Sequence, residues 1–507
     1  MKFNVCRKSN VSTLNYEGAK AYNMSPEMEL YGAVVTTSLE GATYEKSNDR
    51  LKRIQKLITK CDPVFVAQLA VYARTEMYLR SIPLVLVIEL AKVHRGDSLV
   101  SNTLCKVIQR ADEITEALAY YQMANQRSGT KKLNSLSKQI QKGIAKAFLK
   151  FDEYQFAKYN RKAEVTLKDA LFLTHPKATG EESQQLFDKI VNDTLQVPYT
   201  WETELSSIGQ QNFNSEKERK AAFTRTWESL IDSRKLGYMA LMRNLRNILQ
   251  ANVSSDHIEK VVSQLTNEQT VLKSKQFPFR YLAAYRELHC VKSSYTSYVL
   301  DALETAIQIS AKNIKGFDLR TKVLIASDVS GSMYRNISTK SKIMSYDIGL
   351  MLSMLLQYKS KNVITGIFGN TWMPYQFAKN GILQNVNALK SIEGKVGYAT
   401  NGYKVIRYLN TQKEAVDKVM IFTDLQMWNS SSDGRSIQNE WKTYKKNIAP
   451  NAKLYLFDLS GYGNTPLTIE KNDVYLIAGW SDKVFDVLEA LDNGQNTLSA
   501  IKKIALN

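Results

Sequence analysis

Three oxygen-bearing side chains at alternate positions, Asp328, Ser330 and Ser332, stand in the stretch K-V-L-I-A-S-D-V-S-G-S-M. The five residues before them, 323–327, read as a buried β-strand. A helical pattern follows over residues 341–358. A strand that ends in D-x-S-x-S and runs on into a helix can hold a hard divalent cation, because carboxylate and hydroxyl oxygens suit Mg²⁺ or Mn²⁺ and not a soft metal. Gly331 is expected to let the loop turn tightly, so that both serine hydroxyls face one point. Two more donors complete the set: Thr400 in G-Y-A-T-N-G, and Asp424 directly after K-V-M-I-F-T. Two carboxylates and three hydroxyls leave room for water to complete an octahedron, or for a carboxylate or phosphate oxygen of a partner. Taken singly, each residue is equally a helix cap or a turn hydroxyl. The strand context of Asp328 and Asp424 makes a cation site the expectation.

The elements that must position these groups are short and regular. Strand patterns fall at 323–327, 363–368, 418–423, 453–459 and 474–478, with helix patterns at 341–358, 402–409, 435–444 and 482–491. Nearly continuous apolar strands alternating with amphipathic helices indicate a parallel sheet covered on both faces. Such doubly wound α/β folds bind ligands at the carboxyl ends of their strands, where Asp328 and Asp424 stand.

Before residue 320 the pattern is different. Ser25-Pro26, Asp62-Pro63 and Ile82-Pro83 each open an apolar stripe of helical period, with proline suited to the first helical turn. Further helix patterns cover 48–59, 98–109, 114–126, 138–150, 219–231, 236–249, 277–288 and 297–309. Residues 178–215 read as a loop-rich insertion or a weak helix pair. A series of short helices without strands between them suggests either stacked helical hairpins, which present a curved surface to a large ligand, or one large irregular helical domain. The expected division is an N-terminal segment, 1–24, packed on the α/β part or disordered; a helical domain, 25–319; and an α/β domain, 320–507.

Composition is that of a globular chain of 507 residues, 44% hydrophobic with nine prolines, long enough for two or more domains. The formal net charge is +19, with both parts basic. A basic surface favours RNA, DNA or an anionic membrane and says nothing about fold. Cys6, Cys61, Cys105 and Cys290 form no C-x-x-C pair and no disulfide framework. The first residues lack a signal-peptide core, and no run reaches membrane-spanning length. A reduced, cytoplasmic location is the expectation.

Two basic features stand out in the helical part. Lys138, Lys142, Lys146 and Lys150 lie at i, i+4 spacing on one helix face, as a solvated face or as a phosphate track. Lys158, Arg161, Lys162 and Lys168 follow, then His175-Pro176-Lys177. His175 alone reads as a structural residue. Tyr154, Phe156 and Tyr159, in the same run, read as core.

The pattern D-x-S-x-S, then Thr, then Asp resembles the metal-ion-dependent adhesion site of von Willebrand factor A domains. L-N-Y-E-G-A-K-A-Y, L-K-D-A-L-F-L-T-H-P-K, L-M-R-N-L-R, F-P-F-R-Y-L-A-A-Y and I-F-T-D-L-Q-M-W resemble, in order and over nearly the whole chain, the Ro 60 kDa autoantigen family of TROVE-domain proteins. The resemblance implies a ring of HEAT-like helical repeats closed by the A domain. It also implies binding of small structured Y-like RNAs on an outer basic surface, capture of single-stranded 3′ ends of misfolded RNA in a central hole, and, in bacterial members, tethering of an exoribonuclease. By position it points to Lys158, Lys162 and His175. Arg161 joins them from its own basic run, and Lys138, Lys142 and Lys146 from the lysine stripe. Two departures stand at the cation loops. G-Y-A-T replaces the usual G-G-T, and Leu-Gln follows Asp424 where relatives often show Asn-Glu.

A noncatalytic RNA-binding protein is therefore the leading expectation. The A-like part has no Ser-His-Asp or Cys-His arrangement, and no histidine follows His289, so acid–base work would fall to Asp, Glu, Lys or Tyr. A metal-dependent protein scaffold is the alternative. A metal-dependent phosphodiesterase or ATPase is a third, and the ATPase form lacks any G-x-x-x-x-G-K motif.

Overall fold

The structure, a computed structural model, describes residues 12–37, 43–125, 136–314, 320–378, 380–428 and 436–506. Cys6, the expected change of pattern at 315–319 and the expected helix start at Arg435 lie outside the described residues. The chain forms two compact units, each assembled from separate pieces.

The first unit comprises residues 1–57, 277–283 and 307–500. Its strands, in chain order, are β1 (Ser12–Leu14), β2 (Lys20–Asn23), β3 (Lys322–Asp328), β4 (Asn362–Phe368), β5 (Trp372–Pro374), β6 (Lys418–Thr423), β7 (Lys453–Asp458), β8 (Asn464–Thr465) and β9 (Val474–Ala478). Six of them make the main sheet, in the order β5-β4-β3-β6-β7-β9. Five run parallel as expected. The sixth, β5, pairs antiparallel with β4 at the edge, so the sheet is mixed and not wholly parallel. Val323 to Ala326 and Val419 to Phe422 are fully buried, which is why these strands read as continuous apolar runs. Phe422 and Phe457 stack at 4.2 Å on neighbouring strands. The helix Ser345–Lys359 is buried from Ser345 through Leu356 and lies against β3, β4 and β6.

Residues 12–57 belong with this sheet and not with the helices that follow, a division different from a cut at residues 25 and 320. β1 and β2 form a hairpin whose free edge is taken by β8. The helix Pro26–Val35 starts as its sequence dictates, with Pro26 in the first turn and Ser25 Oγ accepting from Met28 N. It is apolar almost all round, and its Tyr31 hydroxyl donates to Ala478 O at 3.0 Å. In the helix Ser47–Ile58, Arg50 and Arg53 pair with the buried Glu45 and donate to Ser460 O and Gly461 O.

The second unit comprises residues 58–276, 284–306 and 501–507. It is a repeat-like array of helices in which each packs on the next or the next but one: Pro63–Thr75 on Ser81–Val93, Leu99–Val107 on Lys138–Phe148, and Glu216–Asp232 on Ser255–Thr266. Gly143 lets one such pair approach closely, since a Cβ there would meet Leu104 Cβ and Ser101 O at 2.9 Å. Of the two readings of 178–215, the helix pair is observed, as Glu181–Asn192 and Trp201–Gly209. The short helices Glu153–Tyr159, Ser255–Thr266 and Glu268–Ser274 had no strong sequence signal. Among the described residues no helix is long and apolar enough to cross a membrane.

Candidate functional site

Asp328 is the last residue of β3, Asp424 follows β6 directly, and Asp458 ends β7. Three neighbouring strands thus deliver three carboxylates to one end of the sheet. Hydrogen bonds tie the loops that follow together in pairs. Thr423 Oγ1 donates to Asp328 Oδ2 at 2.6 Å, Gly331 N to Tyr398 O at 2.8 Å, and Trp428 N to Thr400 O at 2.9 Å. The hydroxyls of Ser330 and Ser332 are 3.2 Å apart. The five residues expected to act together, Asp328, Ser330, Ser332, Thr400 and Asp424, therefore lie on loops that meet.

Gly331 does not play its expected role. Its φ is not in the left-handed region, and a Cβ there would find only Tyr398 O, at 3.7 Å. Close approach is needed instead at Gly402, where a Cβ would come within 2.6 Å of Met427 Sδ. The two departures in sequence have visible effects. Gly397, one residue before Tyr398, takes φ 71°, so the turn is made ahead of Thr400 and the tyrosine ring projects with 53% of its surface exposed. Leu425 takes φ 65°, a conformation that asparagine adopts with far less strain. Leu425 is held there by burial and by its N–H to Thr423 Oγ1.

The electrostatics of this end of the sheet are unfavourable without a counter-charge. Burial pushes Asp328 up to about 6, against hydrogen bonds from Ser330 and Thr423 that favour its ionised form. Burial and the Asp328 charge push Asp424 up to about 7. Burial also raises Asp458, although it accepts from the N–H groups of Ser460 and Gly461. Oδ2 of Asp424 is buried with no hydrogen-bond partner among the described residues. An orphaned carboxylate oxygen beside a second buried carboxylate, with serine and threonine hydroxyls around them, is an oxygen-only donor set that a hard divalent cation would satisfy. No cluster of three or more His, Cys, Asp or Glu suited to a metal occurs among the described residues, so this set depends on its hydroxyls.

The second constellation lies in the helical unit. A cleft of about 810 Å³ is lined by the cations Arg80, Arg110, Lys158, Arg161, Lys235 and Arg243, with only Asp112 and Glu202 as acids. Tyr154, Tyr159, Tyr199 and Trp201 share its walls. The Arg110 guanidinium lies 4.3 Å from the Tyr159 ring, and Lys235 Nζ 5.2 Å from Tyr199. Tyr154 is 45% exposed and faces Lys158, so it is not the core residue its sequence suggested. Phe156 is core.

Of the residues singled out for RNA, Lys158 and Arg161 line this cleft; Lys162, His175, Lys138, Lys142 and Lys146 do not. Lys162 is exposed on the loop beyond the helix Glu153–Tyr159. His175 is exposed and ends the helix Leu167–Thr174 in a left-handed conformation, φ 47°. Lys138, Lys142 and Lys146 are exposed on the helix Lys138–Phe148, opposite Ile140, Ile144 and Ala147. Lys146 Nζ donates to Asn102 Oδ1 at 3.0 Å, and Lys150 Nζ to Cys105 O at 2.7 Å near the end of the helix Leu99–Val107. The lower lysines of the stripe are thus occupied in helix packing. Arg80, Arg110 and Lys235 were missed because they come from separated segments, and only folding gathers them with Arg243, whose cluster with Arg246, Asn244 and Asn247 reads in sequence as a contact for a partner or RNA.

Comparison with known proteins identifies the fold and the family. The fold is that of a Ro protein: the crystal structure of the Deinococcus radiodurans Ro (RSR) protein superposes with a TM-score of 0.59 at 16% identity, over 95% of this chain and all of that one. The TROVE domain profile matches residues 18–222 and 193–325, and the Ro60 vWA domain profile matches 322–491. The chain belongs to the TROVE-domain family of Ro-like RNA-binding proteins. Telomerase protein component 1 from Rattus norvegicus is 40% identical over 103 residues, 20% of this chain and 4% of that protein. The Mus musculus protein of the same name is 24% identical over 308 residues, 47% of this chain and 12% of that protein. This chain therefore spans only a small part of those relatives.

Proposed function

We propose that the protein works in noncoding-RNA quality control, binding a small structured Y-like RNA and the single-stranded 3′ ends of misfolded RNA without catalysing a reaction on them. The observation that carries the reading is the cleft where six cations meet five aromatic side chains, Tyr238 among them. Cations follow a phosphate backbone and release its counterions, and aromatic faces stack unpaired bases. Lys158, Arg161 and Tyr154 are the residues we assign to this contact, with the exposed Lys138, Lys142, Lys162 and His175 as outlying contacts for a duplex. A reducing, cytoplasmic compartment belongs to the same reading.

The test is RNA affinity against salt for the wild type and for Lys158→Ala with Arg161→Ala. Loss of two phosphate contacts lowers the slope of log affinity against log salt by about 1.5. Tyr154→Ala should weaken single-stranded RNA more than duplex. Unchanged affinity and slope in the double variant would remove the cleft from the reading.

We also assign Asp328, Ser330, Ser332, Thr400 and Asp424 to one divalent cation, Mg²⁺ before Mn²⁺. When bound, such a cation offsets the charge of the two buried carboxylates and offers a Lewis-acidic point to an oxygen ligand. The chain's part is to hold the carboxylates ionised, through Thr423 on Asp328 and Gln426 N on Asp424.

A further inference from the structure

The loop between β1 and β2 reaches the cation loops from the far end of the sequence. Asn15 Nδ2 donates to Met427 O at 2.8 Å, and Tyr16 N donates to Gln426 Oε1 at 3.0 Å. The loop is rigid in itself: Asn15 Oδ1 accepts from Glu17 N and Ala19 N, and Gly18 takes φ 74°. This geometry aims Glu17 at a single place. One carboxylate oxygen accepts from the Tyr44 hydroxyl, and the other from Trp428 Nε1 at 2.5 Å. The Tyr44 hydroxyl lies beside Ser332, and its neighbour Thr43 donates to Ser332 O at 2.8 Å. The Tyr44 ring stacks on Tyr16 at 5.3 Å and meets the edge of Tyr462 at 5.5 Å.

The Tyr44–Glu17 pair therefore stands against the loop that carries Ser332, tied to it by Thr43 and to the neighbouring loop by Trp428. We propose that Tyr44 and Glu17 are the outer shell of the divalent-cation site and that cation binding is coupled to seating of the β1–β2 loop and of Thr43 and Tyr44 against these loops. The inference rests on the cation assignment made above. A hydroxyl that ligates a cation becomes a stronger donor and needs an acceptor. Ser332 has one proton, and the hydroxyl of Ser330 lies 3.2 Å from its oxygen. With Asp424 turned to a cation, that proton goes to the Tyr44 oxygen, and the Tyr44 proton goes to Glu17. Linked bonds of this kind strengthen one another, and outer partners of metal ligands commonly contribute 10- to 100-fold in affinity. The negative charge of Glu17 then offsets part of the cation's charge through two hydroxyls. The chain supplies its own acid to this face of the site, and an acidic partner would have to contend with Glu17.

The experiment is calorimetric titration of Mg²⁺, and separately Mn²⁺, into the full chain as wild type, Glu17→Gln, Tyr44→Phe and Asp424→Asn. Amide hydrogen exchange of residues 15–23 is followed with Mg²⁺ and with EDTA. Gln keeps the shape and, with its one oxygen on Trp428 Nε1, turns a donor NH₂ toward the Tyr44 hydroxyl, so it removes the charge and the acceptor that Tyr44 needs. Phe keeps the ring stack and removes only the relay. Both variants should bind about 10-fold more weakly. Mg²⁺ should slow exchange in residues 15–23 of the wild type but much less in Glu17→Gln. If both variants bind like the wild type while Asp424→Asn does not bind, the cation assignment stands and this inference is overturned. If the wild type binds neither metal, both are overturned.

Discussion

Thr423 Oγ1 donates to Asp328 Oδ2 at 2.6 Å across the β3–β6 boundary, with both side chains buried. The same hydroxyl accepts from Leu425 N at 3.1 Å. One side chain thus supports the ionised form of one carboxylate and fixes the turn after the other. Thr423→Val keeps the shape and strands both partners. We expect a stability loss of about 1–3 kcal/mol, read by urea unfolding in EDTA, together with weaker Mg²⁺ binding by calorimetry. An unaltered unfolding midpoint would mean that the bond contributes nothing.

Stability without metal should fall as pH rises toward neutrality. Asp328, pushed up to about 6, and Asp424, pushed up to about 7, exceed the ordinary aspartate value of about 3.9. The folded chain holds protons there that the unfolded chain releases, so their stabilisation is complete below about pH 4 and is lost through about pH 7. A divalent cation binds the ionised pair, so its stabilising effect grows over the same interval. Thermal melts at pH 5 and pH 7.5, each with EDTA and with Mg²⁺, check this. A chain carrying Asp328→Asn and Asp424→Asn supplies the background from other groups. An Mg²⁺ effect equal at both pH values would contradict the expectation.

In the helical unit, Glu113 is fully buried and pairs with Arg74 at 2.9 Å. Its other oxygen accepts from Gln109 N at 2.7 Å and Arg110 N at 3.1 Å. Glu113→Ala leaves a buried guanidinium without its carboxylate and should cost about 3–5 kcal/mol in urea unfolding. Arg80 and Arg110, which line the cleft, share the neighbouring Asp112. RNA affinity should therefore fall with stability, and a variant that unfolds like the wild type would show that the pair is not needed.

The strand ends that carry Asp328 and Asp424 were legible because their signal is local. Each carboxylate stands where an apolar run ends, and that run fixes both the strand's register and its exit. The hairpin of β1 and β2 was not legible, since its strands have three and four residues and its partner, β8, is more than four hundred positions away. The one clue was N-Y-E-G, the turn in which Asn15 Oδ1 and Gly18 do the work. The cleft was half legible. The run Lys158 to Lys162 holds three cations in five residues, but the helix Glu153–Tyr159 ends inside it. Lys158 and Arg161 consequently line the cleft and Lys162 does not. His175-Pro176 reads afterwards as a helix stop, with histidine in the left-handed position that ends the helix. The edge strand β5 is too short for its period to show.

The distance along the chain between Tyr31 and Ala478 also sets a timetable. The apolar helix Pro26–Val35 is made well before its partner, since its Tyr31 bonds to β9, 447 residues later. At about 5–20 residues per second, a ribosome takes roughly 20–90 s to deliver that partner. Through that interval the newborn helix has an apolar surface to bury and no β9 to receive it. The helix therefore waits, and its apolar surface stays without this partner until β9 has emerged.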